Sequence, residues 1–194
     1  MTLNTNVTQP DITEREDKAW VEIINEKKEK NKIDRLEDYV SKGQGIHIED
    51  ARKMYEGFLW ANIDRYKYIE KYVQYFPNGQ YINQVEDKVF RSVENRYIDL
   101  FPKGRYIEQA KNADENRLLK EIKEGWAMSI DEYIEKYPQG KYIDQIDEIV
   151  WQQALNEESQ SKAFQEQGFE KYIKHFPAGK HSAGAREKIK KYKN

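Results

Sequence analysis

The sequence contains no cysteine and only three histidines and five prolines among its 194 residues. Without cysteine, a disulfide framework, a cysteine metal site and a cysteine nucleophile are all excluded. No apolar run approaches the roughly 20 residues that cross a membrane as a helix. The first residues lack a basic region followed by an apolar stretch, so they do not predict a secretory signal. We therefore expect a cytoplasmic protein that does not associate with membranes.

Charged residues are abundant but nearly balanced. They make up 35% of the chain, and the formal net charge is -2. Aromatic residues, at 13%, supply large side chains that can be buried, which argues against disorder. Charge is uneven only from Ala178 to Asn194, which holds six basic residues and one acidic residue. This stretch predicts a solvated last helix with cations near its C-terminus. Contact with nucleic acid or an acidic partner is the alternative, and a pI near 6.0 makes nucleic acid the less favoured of the two.

One motif recurs four times in the chain. It reads Tyr, Ile or Val, two variable residues, Phe or Tyr, Pro, any residue and Gly, and it occurs at residues 72–79, 97–104, 133–140 and 172–179. The first, second and fifth positions share one face of a helix. Proline cannot continue a helix, and the glycine can adopt a positive φ. The motif therefore predicts the end of one helix and the turn into the next.

A second pattern follows each central motif and predicts the start of the next helix. It reads Tyr, Ile, one polar residue, Gln and an apolar residue, at residues 81–85, 106–110 and 142–146. Degenerate copies follow Gly45 and Gly179, where His47 and His181 take the tyrosine position. Atypical terminal copies are expected in a repeat protein because they cap the stack. We expect both histidines to be half-buried substitutes for tyrosine. The patterns predict repeat turns near residues 43–46, 76–80, 101–105, 137–141 and 176–180.

The remaining boundaries follow from local signals. We expect a flexible arm at residues 1–10 and a single helical-repeat domain at residues 11–194. Capping-box patterns at residues 13–16 and 129–132 predict helix starts at those positions. Residues 156–161 are predicted to form a turn. Residues 80–100 fit either one continuous helix or two very short ones.

The turn pattern Phe/Tyr-Pro-x-Gly-x-Tyr, opening the next helix, resembles the tetratricopeptide repeat. It is most similar to the variant found in outer-membrane assembly lipoproteins and related bacterial scaffold proteins, over about residues 34–190. The resemblance implies an all-α, right-handed superhelix of about four helical hairpins plus one or two N-terminal helices. It also implies a protein-binding scaffold whose concave face is lined by the first helix of each hairpin. The repeat lengths are irregular, Val85 and Ile146 occupy a position that is usually small, and no lipid-attachment cysteine exists, so a lipoprotein role is not implied.

Signals for catalysis are weak. No two histidines have the i, i+4 spacing of a metal site, and no Gly-Lys-Ser/Thr sequence is available for phosphate. His175 falls at a variable motif position, which predicts an exposed side chain. We therefore expect no catalytic residue, no metal and no cofactor. An enzyme acting through clustered carboxylates is the rival reading, and it would need a deep pocket where acids converge.

Four residues are candidates for contacting a protein or peptide partner: Gln84, Gln109, Gln145 and Trp151. The three glutamines hold equivalent positions, which suggests one shared role. That role is either a hydrogen bond to the turn of a neighbouring hairpin or a row of polar groups that grips an extended peptide. Trp151 is either packed between hairpins or an exposed anchor. The predicted function is a non-catalytic scaffold, adaptor or regulator. The alternative is an inhibitor or immunity-type protein that sequesters an enzyme or toxin, and the oligomeric state is left open.

Overall fold

A computed structural model describes residues 9–92, 94–160 and 165–193 of the chain. These residues contain eleven α-helices and no β-strand, so the all-α prediction is confirmed. The chain divides into two compact units, residues 1–105 and residues 106–194.

Unit 1 is a series of helices in which each packs against the next. The helices are α1 (Gln9–Asn25), α2 (Glu29–Ser41), α3 (Ile48–Ala61), α4 (Tyr66–Tyr75), α5 (Ile82–Ser92) and α6 (Glu94–Leu100). Residues 80–100 therefore contain two short helices, which settles the alternative that the sequence left open. Their separation follows the hairpin pattern of the rest of the chain, since α6 ends at the Phe-Pro turn and packs back on α5.

Unit 2 repeats the arrangement with longer helices. These are α7 (Ile107–Lys123), α8 (Ala127–Lys136), α9 (Ile143–Gln160), α10 (Gln165–His175) and α11 (Ser182–Lys193). The helix α7 packs on α8, and α9 packs on α10, which also contacts α11. In addition α7 contacts α9 and α8 contacts α10, so equivalent helices of consecutive hairpins lie side by side. This is the stacking of helical pairs that the repeat predicts.

The motif residues form the core of both units. The four motif tyrosines, Tyr72, Tyr97, Tyr133 and Tyr172, are fully buried. The apolar residue that closes the second pattern is also buried in each copy, at Ala51, Val85, Ala110, Ile146 and Ala185. Full burial of a large apolar side chain contributes about 1.5–3 kcal/mol. The repeated aromatic and aliphatic positions therefore hold consecutive helices together.

Three predicted boundaries are wrong. The helix α1 begins at Gln9 and not at Thr13, because Pro10 fits the first helical turn, where no backbone N–H is needed. The helix α8 begins at Ala127. Ser129 is buried, and its hydroxyl donates to Glu121 at 2.7 Å instead of capping the helix. The helix α9 continues to Gln160 through the turn predicted at residues 156–161. Ser161, the last residue of that predicted turn, lies outside the described residues, as do residues 1–8 of the predicted arm.

Candidate functional site

Each motif turn is stabilised by a hydrogen bond from the hydroxyl of its buried tyrosine to a carboxylate on the preceding helix. We call the tyrosine, the carboxylate and the glycine of one turn a turn network. The hydroxyl-to-carboxylate distances are 2.5 Å for Tyr72 with Glu56, 2.5 Å for Tyr97 with Glu86, 2.6 Å for Tyr133 with Glu115 and 2.5 Å for Tyr172 with Asp147. Bonds to ionised acceptors are short and strong. Four repeats thus share one polar connection between their two helices and the turn.

The same carboxylates bind the backbone of the turn. Each accepts the N–H of the residue after the glycine, from Gln80 at 2.8 Å, Arg105 at 2.6 Å, Lys141 at 3.0 Å and Lys180 at 2.8 Å. The tyrosine oxygen also accepts the next N–H, as shown by the bonds from Tyr81, Tyr142 and His181, each at 2.9 Å. These N–H groups lie at the start of the next helix, where the helix itself offers no acceptor. The turn network therefore caps the following helix.

The motif glycines are required for space. A Cβ on Gly140 would lie 2.4 Å from the Tyr133 hydroxyl and 2.7 Å from a Glu115 carboxylate oxygen, and Gly79, Gly104 and Gly179 are equally crowded. None of these four glycines has a positive φ, which among the described residues is found only at Gly43, Gly45 and Gly125. The predicted reason for the motif glycine, a left-handed backbone, is therefore wrong. The glycine is required instead because the tyrosine and the carboxylate approach it closely.

A partial turn network lies in the degenerate first copy. Glu16 accepts the Ile46 N–H at 2.9 Å, and the Tyr39 hydroxyl lies 3.4 Å from the His47 nitrogen. A Cβ on Gly45 would lie 2.5 Å from the Tyr39 hydroxyl. Glu16, which the sequence assigned to a capping box on its own helix, thus serves the turn that precedes α3.

The position two residues after the glycine stacks on a tryptophan in three copies. The ring centroids are 5.2 Å apart for His47 on Trp20, 4.7 Å for Tyr81 on Trp60 and 4.9 Å for His181 on Trp151. Both histidines are half-buried at this position, as predicted. Each also pairs with a carboxylate, Asp17 at 2.7 Å for His47 and Glu148 at 2.8 Å for His181.

Trp151, one of the candidate partner contacts, is half-buried within this stack. Its ring also meets Phe169 and Tyr172, with centroids 5.5 Å away in both cases. A large part of the indole is therefore already in contact with α10 and with the turn that precedes α11. The tryptophan with the greater exposure is Trp126, whose side chain is 63% exposed beside Met128 at 85%.

The three candidate glutamines all occupy the third residue of their helix. Gln84, Gln109 and Gln145 are exposed, on α5, α7 and α9 respectively. Within the part of the chain that the structure describes, none of their amide groups has a hydrogen-bond partner. The predicted bond from these amides to a neighbouring turn is therefore not formed. The carboxylates of the turn networks make that connection instead.

His175 is not exposed, contrary to the expectation from its motif position. Its side chain is only 12% exposed, and Nε2 lies 3.0 Å from an Asp131 carboxylate oxygen. Its Nδ1 atom is buried and has no hydrogen-bond partner among the described residues. The helix α10 packs on both α8 and α9, and this packing covers the imidazole.

A buried acid in unit 2 forms a charge network. Asp114 of α7 accepts from Arg117 at 2.5 Å, from the Tyr137 hydroxyl at 2.9 Å and from Lys136 at 3.5 Å. Burial is the largest influence on this carboxyl and opposes ionisation. The bonds from Arg117 and Tyr137, with the charge of Lys136, nevertheless hold the pKa of Asp114 below its usual value. All of its partners belong to the fold, so the cluster joins α7 to α8.

The basic last helix is paired with acids of its own unit. Lys188 binds Glu158 at 2.7 Å, and Lys193 lies 2.9 Å from both Glu166 and Glu170. The Tyr192 hydroxyl also donates to Glu158. These contacts use part of the positive charge that nucleic acid would need, so they favour the solvated-helix reading of the tail.

Unit 1 contains a cleft of about 430 Å³ between the first halves of α2 and α4 and the second half of α3. Its walls include Ile33, Phe58 and Tyr68, and its polar groups include Glu37 and Tyr55. Charged residues of both signs surround it: Glu29, Lys30, Asp34, Arg65, Lys67 and Lys71. No recurrent motif of the sequence includes any of these residues.

The described residues contain no group of three or more histidines, aspartates or glutamates arranged to hold a metal ion. No helix in the same part of the chain is both long and apolar enough to span a membrane. Compared with protein-family models, the sequence matches none, and a search of curated proteins finds no match either.

Proposed function

We propose that this protein is a non-catalytic scaffold or adaptor of the tetratricopeptide-like type that binds a protein or peptide partner in the cytoplasm. The observation that carries the proposal is the set of first-turn glutamines, Gln84, Gln109 and Gln145. They recur at one helical position, yet they are exposed and make no hydrogen bond within the described fold. The other recurrent polar groups, the tyrosines and carboxylates of the turn networks, are bound to the turns. A recurrent polar residue that the fold does not use is available to a partner.

The carboxylates also support a binding role over catalysis. The rival enzyme reading needs acids that converge in a pocket and remain free to exchange protons. Glu56, Glu86, Glu115 and Asp147 instead accept bonds from a tyrosine and a backbone N–H. These carboxylates are therefore committed to the turns.

Replacing Gln84, Gln109 and Gln145 together by alanine should reduce partner binding at least tenfold while stability changes by less than about 1 kcal/mol. Alanine is a slightly better helix former than glutamine, and no native hydrogen bond is lost. The measurement is affinity purification from the native cell with quantitative mass spectrometry, followed by titration of the recovered partner and by urea unfolding. The matched control replaces the neighbouring exposed residues Asn83, Glu108 and Asp144 by alanine.

The glutamine role is refuted if the glutamine triple variant recovers the partner as well as the wild type does, or if the control triple variant loses the partner to the same extent. Recovery of one enzyme at a one-to-one ratio, with loss of its activity on binding, would identify the inhibitor or immunity-type alternative. Recovery of several proteins that compete for one surface would identify an adaptor.

A further inference from the structure

Tyr55 is an unusual residue in the cleft of unit 1. Its side chain is 0% exposed, and its ring contacts Tyr75 and Phe76 with centroids 5.5 and 6.0 Å away. Its hydroxyl is buried and makes no hydrogen bond of normal geometry with the described residues, although the Glu37 carboxylate lies near it. An unpaired buried hydroxyl reduces stability, whereas phenylalanine would fill the same space without that cost. Without a well-formed partner in the free fold, the hydroxyl is able to donate to a ligand.

Glu37 is the charged group that most affects this hydroxyl. Burial is the largest cause that raises the pKa of Tyr55, and the charge and hydrogen-bonding influence of the Glu37 carboxylate raise it further. The Glu37 carboxylate binds Lys71 and lies 3.4 Å from the Tyr75 hydroxyl. Its two oxygens have about four acceptor sites, so it can still accept from a ligand.

The pair of Tyr55 and Glu37 selects the chemistry of a ligand. A carboxylate that accepted from Tyr55 would face the negative charge of Glu37. A cationic ligand would lack an acceptor for the hydroxyl and would meet Lys71. An uncharged group with an acceptor and a donor side by side satisfies both residues. A primary carboxamide has this arrangement, since its C=O and one N–H point the same way.

We propose that the cleft of unit 1 binds a primary carboxamide, the group that ends glutamine and asparagine side chains. The carbonyl accepts from the Tyr55 hydroxyl, an N–H donates to Glu37, and Ile33, Phe58 and Tyr68 line the walls around the aliphatic stem. The carboxamide comes either from a residue of a partner, a source that rests on the proposed scaffold function, or from a free amino acid. In the second case Asp34 and Arg65 would bind the ammonium and the carboxylate.

The first test compares two buried tyrosines of unit 1 without any ligand. Tyr55→Phe should leave the thermal midpoint unchanged or raise it, because no hydrogen bond is lost. Tyr72→Phe should lower the midpoint by several degrees, because its hydroxyl binds Glu56 and the Tyr81 N–H. An equal fall in both variants would show that the Tyr55 hydroxyl is paired in the free protein, and the proposal would be overturned.

The second test titrates the isotopically labelled full chain with small blocked amino acids and follows backbone amide resonances by NMR. N-acetyl-glutamine methylamide should shift signals from α2, α3 and α4 with a dissociation constant of about 1–10 mM. The glutamate and lysine analogues should bind at least tenfold more weakly, and Tyr55→Phe should abolish the glutamine shifts. The Glu37→Gln substitution should increase the affinity for the glutamate analogue relative to the affinity for the glutamine analogue.

The two sources of the carboxamide are distinguished by adding free L-glutamine. Tighter binding of the free amino acid than of the blocked form supports the site with a small-molecule ligand, and the reverse supports a residue of a partner. Equal binding of the glutamine and glutamate analogues, or no shift with any probe, overturns the proposal. Neither result depends on the first-turn glutamines, so the scaffold function fails or stands on its own experiment.

Discussion

Replacing Gly140 by alanine is expected to lower the free energy of unfolding of unit 2 by about 2–4 kcal/mol. The new Cβ would lie 2.4 Å from the Tyr133 hydroxyl, 2.7 Å from Glu115 and 2.8 Å from the Tyr137 Cβ. To make room, the tyrosine or the carboxylate must move, and the hydrogen bonds that they share with each other and with the Lys141 N–H then weaken. Urea unfolding followed by circular dichroism measures the change.

Gly57→Ala is the matched control for this substitution. Gly57 lies within α3 and does not have a positive φ, and apart from its chain neighbours and the nearby backbone of α3 no atom lies within 4 Å of an added Cβ. Alanine there should raise stability by about 0.5–1 kcal/mol because it restricts the unfolded chain. If the two substitutions changed stability equally, crowding in the turn network would not explain the motif glycine.

The recurrence of the motif made the turns predictable, but not their cause. Proline and glycine at a fixed spacing predict the end of a helix regardless of which contacts stabilise the turn. The sequence therefore identifies the position of the turn but not the side chains that contact its glycine. At Gly140 the constraint comes from three side chains, those of Tyr133, Tyr137 and Glu115, and Glu115 lies on the preceding helix. A local sequence pattern does not reveal such contacts between two helices. A positive φ was therefore the only local explanation for the motif glycine.

The carboxylates of the turn networks carry a weak sequence signal that a direct alignment misses. Glu86 and Asp147 follow the buried apolar residue of their repeat by one position, whereas Glu56 and Glu115 follow it by five. Positions one and five differ by about one helical turn and lie on the same face. A search for an acid on that face would have found all four. A search at one fixed position finds only half of them.

The cleft of unit 1 could not be predicted from the repeat. Tyr55 lies four residues after the buried Ala51, and the equivalent residues are Val89, Asp114 and Val150. Since the position holds tyrosine in one repeat, valine in two and aspartate in another, no pattern marks it. Its chemistry depends on which residues of α2 and α4 face it. The repeats therefore reveal the shared scaffold, and the individual sites lie where the repeats differ.

Replacing Asp114 by asparagine is expected to lower the free energy of unfolding by about 2–3 kcal/mol near pH 7. Asp114 is 7% exposed and accepts from Arg117, Lys136 and Tyr137. Asparagine keeps the shape but removes the charge and presents an NH₂ group to two cations. The loss of stability is smaller than for a buried cation left without any partner, because Arg117 still pairs with Glu121 at 2.8 Å. Urea unfolding measures the change in the free energy of unfolding. The control is Glu108→Gln, a substitution at an exposed site on the same helix.

The effect of Asp114→Asn should depend on pH in a definite direction. The pKa of Asp114 in the folded protein lies below its ordinary value of 3.8, because the bonds from Arg117 and Tyr137 outweigh the opposing effect of burial. A carboxyl with a lowered folded pKa stabilises the fold fully above its unfolded pKa and loses that contribution as the pH falls through the folded value. The stability difference between wild type and variant should therefore be constant above about pH 5 and shrink steadily below about pH 4. Other carboxyl groups titrate in both proteins, so their contributions to stability largely cancel when the two proteins are compared. A difference that stayed constant down to about pH 2 would show that the shape of Asp114, and not its charge, joins α7 to α8.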